Sequence, residues 1–149
     1  MKVIIYILFI ITIISSNKVF SQAENSKYYI TELRGDISLE MEINNLQSNN
    51  GPLYIRILDE NENPVIVGTS PVINYSARIS FDSISPGKYA IQFFHDENEN
   101  QKMDFSLIGI PKEKFGSSND VKPLLGPPKF KKMLFNLNEN KKVIMIPVN

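Results

Sequence analysis

The sequence predicts an all-β fold: a single antiparallel β-sandwich of about seven strands, immunoglobulin-like or transthyretin-like, with one long ordered loop. Three observations carry this expectation. Apolar and polar residues alternate at period two through most of the chain, and turn-forming clusters separate the alternating runs. Beyond the N-terminal apolar run, no segment sustains a 3.6-residue apolar period over ten residues.

The first strand follows from Ile37, Leu39, Met41 and Ile43, which share a face opposite Ser38, Glu40 and Glu42. Leu53, Ile55 and Ile57 alternate with Tyr54 and Arg56, and Ala77, Ile79 and Phe81 with Arg78, Ser80 and Asp82. Val65-Ile66-Val67 is the candidate seventh strand. Tyr89, Ile91, Phe93 and His95 share a face, with Ala90, Gln92 and Phe94 opposite. Met133, Phe135 and Leu137 alternate, and Val143 to Val148 forms a last apolar strand that Pro147, lacking an N–H, should end or confine to an edge. Asn49-Asn50-Gly51-Pro52, Asn61 to Pro64, Ser85-Pro86-Gly87 and Asn138 to Asn140 supply the turns.

Residues 1–21 read as a signal peptide. Lys2 gives a positive start, Val3 to Ile14 is apolar except for Thr12, and Val19 and Ser21 suit cleavage before Gln22. The run is shorter than the roughly 20 residues a membrane-spanning helix needs, so no stable anchor is expected after cleavage. Residues 22–34 form a polar lead-in and 35–149 the sandwich domain. The chain has no Cys, which excludes lipid attachment at cysteine and disulfide staples. Without Lys2 and Lys18, the 16 basic residues fall to 14 against 16 acidic ones, a net charge of −2. That balance offers no footprint for nucleic acid.

Residues 104–130 lack a clear period and contain three Gly and four Pro, yet carry Leu107, Ile108, Ile110, Phe115 and Phe130. A stretch this long is a functional loop or a disordered one, and its apolar content favours order. It is expected to dock on the sandwich through Ile108, Ile110, Phe115 and Phe130.

Just before it, Asp96, Asn98, Asn100 and Asp104 stand at positions 1, 3, 5 and 9 of a calcium-loop pattern, with the Lys102 carbonyl at position 7. Calcium takes six to eight hard oxygen ligands, so carboxylates, amides and a main-chain carbonyl are the right donors. Position 6, usually Gly, is Gln101, and position 12, usually a bidentate Glu, is Leu107. The same residues also fit a solvated acidic turn. His95 is the only His in the chain and adjoins Asp96. Its strand face favours a packing role, with hydrogen bonds to loop carbonyls or Asp96, over a triad with Ser117 or Ser118. No nucleophile elbow surrounds those serines.

Four ordered blocks between Phe81 and Phe130 resemble the bacterial family catalogued as domain of unknown function 2141. They are Ser85-Pro86-Gly87-Lys88-Tyr89-Ala90; His95 to Asn100 with Asp104; Gly109-Ile110-Pro111-Lys112-Glu113 with Phe115, Gly116, Ser118 and Asn119; and Gly126-Pro127-Pro128-Lys129-Phe130. The resemblance implies a small exported or periplasmic β-sandwich without established activity. It also implies that His95, Gly109, Pro111, Glu113, Phe115, Gly116 and Asn119 support the loop. Gln101 stands where the family usually has Gly, and Ser117 where it usually has an aromatic residue.

These readings converge on an exported, non-enzymatic, calcium-stabilised module, in the periplasm, at the cell surface or secreted. The alternatives are a glycan- or peptide-binding domain using residues 104–130, whose partner would be a cell-surface glycan or protein, and, behind it, a hydrolase. Export predicts a mature N-terminus near Gln22. N-terminal sequencing of the exported protein should begin there, and recovery of Met1 with the intact Ile-rich run would refute cleavage.

Overall fold

A computed structural model describes residues 27–30, 35–122 and 128–148. The signal segment 1–21, most of the lead-in and the Pro123–Pro127 part of the long loop lie outside the described residues. Nine strands are present among those described: β1 (Lys27–Ile30), β2 (Ile37–Ile43), β3 (Pro52–Asp59), β4 (Pro64–Pro71), β5 (Ala77–Ile84), β6 (Gly87–His95), β7 (Phe115–Ser117), β8 (Phe135–Leu137) and β9 (Lys141–Met145). One helical turn, α1 (Phe130–Met133), precedes β8. Among the described residues no helix is long and apolar enough to cross a membrane.

The strands form two sheets, and their shared inner faces make the core. The larger sheet runs β1-β4-β3-β6-β7, with β8 also pairing β6; the smaller runs β5-β2-β9. Period two decides which side chains go inside. From β2 these are Ile37, Leu39, Met41 and Ile43; from β3, Leu53, Ile55 and Ile57; from β6, Tyr89, Ile91 and Phe93. Each fully buried Leu or Ile contributes about 1.5–3 kcal/mol over its exposed state.

The outer face of the larger sheet is also partly covered. Tyr54 stacks on Phe94 with ring centroids 5.0 Å apart, Arg56 Nε donates to Gln92 Oε1 at 2.6 Å, and α1 packs on β6 beside them. β6 is therefore buried on both faces, so its alternation is blurred: Ala90 and Phe94 are buried along with Tyr89, Ile91 and Phe93.

Four expectations change. The lead-in contains a strand, since Lys27–Ile30 pairs antiparallel with β4 at the sheet edge. One pairing is parallel, β9 against β2; β9 starts at Lys141 and ends at Met145, two residues before Pro147, on the edge of its sheet. Met133 closes α1 instead of opening a strand. The long loop is broken up by β7 and α1, and its apolar turn does not dock: Ile108 is 80% and Ile110 55% exposed. The turn closes on itself, with Phe105 bridging Pro111, Ser106 N donating to Ile110 O at 2.8 Å and Gly109 N to Ser106 O at 2.9 Å. So short a closed turn has no slack to fold its tip back onto the sheets.

A bulge corrects the alternation of β5. Pairing shifts between Ile37 and Leu39, Ser83 takes a left-handed φ of 66°, and Ile84 thereby returns to the core. On the outer face of the smaller sheet, Lys142 Nζ lies 3.0 Å from both Glu40 Oε1 and Glu42 Oε2. Arg78 adds a 3.2 Å contact to Glu42. The hydrogen bond from Lys142, then that from Arg78, holds the Glu42 carboxyl below its ordinary 4.5. A depressed carboxyl stabilises the fold above the unfolded-state value and loses that contribution as pH falls through the folded one. Glu42→Gln should therefore flatten the acid limb of melting temperature against pH below about 4.5, leaving the midpoint near neutrality little changed, because surface ion pairs are weak.

Candidate functional site

The site grows from the end of β6. His95 N donates to Lys114 O at 2.8 Å and Asp96 N to Pro52 O at 3.0 Å, so the ladder runs one residue past the strand. Both side chains are 0% exposed. A buried carboxylate must find hydrogen bonds, and Asp96 takes them from the following backbone. Its Oδ1 accepts Asn100 N at 3.1 Å and its Oδ2 accepts Gln101 N at 2.7 Å.

Those two bonds curl the chain into a loop. Asn98 Oδ1 accepts Asn100 N at 3.2 Å and Asn100 Oδ1 accepts Lys102 N at 3.0 Å, two successive Asx turns. Glu99 and Gln101 adopt left-handed φ values of 60° and 65°. Gln101 thus makes the turn usually left to glycine. Asn98 Nδ2 and Asn100 Nδ2 both donate to Asp104 Oδ2, at 2.6 and 2.9 Å. The loop thereby gathers Asp96, Asn98, Asn100 and Asp104, while the Lys102 side chain is exposed at its rim. Leu107, at the twelfth position, is fully exposed and contributes nothing.

Two walls support the loop. On one side His95 Nε2 lies 2.8 Å from Asn50 O, and Gly51 (φ 69°) sits so close that a Cβ there would fall 1.8 Å from Asp96 O. Ser48 Oγ donates to Glu97 Oε2 at 3.1 Å, and Glu97 Oε1 is 3.6 Å from His95 Nδ1. On the other side Lys112 N donates to Asp104 O at 2.9 Å and Glu113 Oε2 accepts Asp104 N at 3.1 Å. Glu113 is buried, and its Oε1 has no hydrogen-bond partner. Burial pushes its pKa up; the Asp104 N–H opposes this, and the Asp96 and Asp104 carboxylates add to it.

Gly109 (φ 79°) and Pro111 shape the apolar turn. In β7, Phe115 pairs with Phe94, and a Cβ on Gly116 would meet Phe93 Cζ at 2.4 Å. Asn119 (φ 61°) donates from Nδ2 to Lys132 O at 2.9 Å and Leu134 O at 3.0 Å, tying β7 to α1. Ser118 Oγ accepts Ile91 N at 3.0 Å and donates to Met133 O at 2.6 Å. Ser117 Oγ and His95 Nδ1 are both buried without a hydrogen-bond partner, so neither holds the other. His95, Asp96 and Ser118 are each engaged with backbone groups, not with one another.

Among the described residues no three His, Cys, Asp or Glu side chains form a ready-made metal cluster. Oxygen donors here include amides, which such a cluster would not contain. Spacing found the loop and the family resemblance named His95 and Glu113 beside it, while Ser48 and Gly51 of the other wall were not singled out as its supports. The Asn-Gly turn at 50–51 gave a signal, whereas Glu113 lies nine residues beyond Asp104, outside any local spacing rule.

Fold and loop together define a small β-sandwich whose central strand ends in an acidic, amide-rich loop. The chain belongs to the family described as an uncharacterized protein conserved in bacteria, DUF2141, whose model matches residues 41–145. No curated protein and no solved structure matches the chain.

A left-handed conformation costs a non-glycine residue about 1–2 kcal/mol, partly offset by the chain entropy glycine loses on folding. Gln101→Gly should therefore raise unfolding free energy by about 1 kcal/mol in denaturant titrations run with chelator. A loss of stability would show that the Gln101 side chain outweighs the backbone strain.

Proposed function

We propose that this chain is an exported, non-catalytic β-sandwich module whose 96–104 loop binds calcium and is stabilised by it. The observation that carries the reading is Asp96: its buried carboxylate fixes the two backbone N–H groups that shape the loop. With Gln101 in the glycine conformation, the departure at position 6 costs stability without removing the turn. Hard oxygen donors of this kind suit calcium, and a chain with one His and no Cys offers little to zinc. A cation would replace the two amide N–H donors now facing Asp104 and would relieve the crowding of Asp96, Glu97, Glu99 and Asp104.

A second reading is a binding role for the 104–130 segment. It is favoured by the turn after the loop, which holds Phe105, Leu107, Ile108 and Ile110 exposed. Exposed apolar clusters of this sort mark contact surfaces for proteins or other ligands. The two readings are compatible, because the turn rises from the base of the loop.

Extracellular calcium modules bind at about 10⁻⁴–10⁻³ M. At a hundredfold excess over the dissociation constant, calcium should stabilise the mature chain by about 2.7 kcal/mol, a melting shift of about 5–15 °C. Magnesium should do much less, since it requires near-octahedral geometry and holds its waters. Asp104→Asn should abolish the response while leaving the fold intact. Equal melting in millimolar calcium and in chelator would sink the reading.

A further inference from the structure

We propose that Glu113 is the closing ligand of this loop, bringing across the Phe105–Pro111 turn the carboxylate that position 12 lacks. The inference rests on the calcium reading of residues 96–104 and extends it by one residue.

Glu113 is 7% exposed, and its Oε1 makes no hydrogen bond, although the Glu97 N–H lies near enough to the carboxyl to favour its charged form. An unpartnered oxygen on a buried carboxylate is unfavourable and rare in folded proteins. Among the described residues no Lys, Arg or His forms an ion pair with it; the ion pairs of Arg78 and Lys142 go to other carboxylates, and His95 Nδ1 lies beside Glu97. Its charged neighbours are Asp96 and Asp104, both of like sign. A cation held between Glu113 and Asp104 would balance such a side chain, and drawing Asp96 in as well would tighten three carboxylates that do not stand as a metal cluster without it.

The backbone explains how a residue so far along the chain reaches the loop. Asp104 and Lys112 are joined by the 2.9 Å bond from Lys112 N to Asp104 O. The intervening residues are looped out as the exposed turn, with Phe105 bridging Pro111. Glu113 therefore enters beside Asp104, as its 3.1 Å bond to Asp104 N records. Counted from Asp96 it is the eighteenth residue, but in space it follows the ninth. With one oxygen on Asp104 N and the other making no hydrogen bond, the carboxylate can turn one oxygen to a cation while keeping the Asp104 N–H bond. Giving both, the bidentate mode that favours calcium over the smaller magnesium, requires only the Asp104 N–H bond to be released.

The test is calcium chloride titration by calorimetry on the mature chain. Wild type is compared with Glu113→Gln, Glu113→Asp and Glu99→Gln, folding being checked by melting in chelator. Glu113→Gln should bind at least tenfold more weakly and melt no lower than wild type in chelator. Glu113→Asp, with its shorter reach, should fall between them. Glu99→Gln removes the same charge from an exposed position of the loop, and its loss of affinity, which is electrostatic only, should be well below that of Glu113→Gln. Wild-type affinity in Glu113→Gln overturns the assignment and leaves the 96–104 loop standing; equal losses in Glu113→Gln and Glu99→Gln overturn it too, showing general electrostatics. If Glu113→Gln fails to fold, undiminished binding by Glu113→Asp overturns it. Absence of calcium binding by wild type removes the loop reading itself, and this assignment with it.

Discussion

The burial of one carboxylate, Asp96, sets the geometry of this end of the molecule. β6 is covered on both faces, so the residue at its exit leaves the core without reaching solvent. A carboxylate in that position must be satisfied by hydrogen bonds. The nearest donors are the N–H groups of its own downstream chain. Accepting from Asn100 and Gln101 bends the backbone back on itself and puts Glu99 and Gln101 in left-handed conformations. It also delivers Asp104 to the two Asn amides. The next leg of chain, with Lys112 and Glu113, then attaches to Asp104.

Much of the sandwich was legible because its inner residues come from strands covered on one face. In β2 and β5 apolar in and polar out is written directly in the letters, and the bulge at Ser83 adds only one residue to the count. Legibility failed where local pattern does not decide. The parallel pairing of β9 with β2 depends on topology that no turn signal encodes. β7 is three residues long and carries a glycine, chosen because Phe93 leaves no room for a Cβ. The docking expected of Ile108 and Ile110 failed for a different reason. Apolar character says that burial would be favourable, not that the backbone can reach a surface, and the bridge between Phe105 and Pro111 holds the tip away.

The acidic loop shows the same division. Side chains at positions 1, 3, 5 and 9 come together as their spacing requires, because that spacing is a property of the local chain. Gln101 looked like a defect by composition, yet the loop forms because two hydrogen bonds to a buried carboxylate outweigh about 1–2 kcal/mol of backbone strain. Glu113 was readable only through the family resemblance, not through spacing. Its approach depends on how a seven-residue excursion closes, which side-chain spacing does not encode.

His95 connects this loop to the core, and its chemistry follows from its two nitrogens. Nε2 lies 2.8 Å from the Asn50 carbonyl, which can only accept, so the ring carries its proton there. Its other nitrogen, Nδ1, makes no hydrogen bond and lies 3.6 Å from Glu97 Oε1. Glu97 is held in place by Ser48 and cannot simply turn away without losing that bond. Gly51, pressed against the Asp96 carbonyl, fixes the same turn from below. The contacts of Ser48 with Glu97, of His95 with Asn50 and of Gly51 with Asp96 thus join the loop to the turn before β3. Loop and sandwich meet at a buried imidazole whose ring is positioned by a backbone carbonyl.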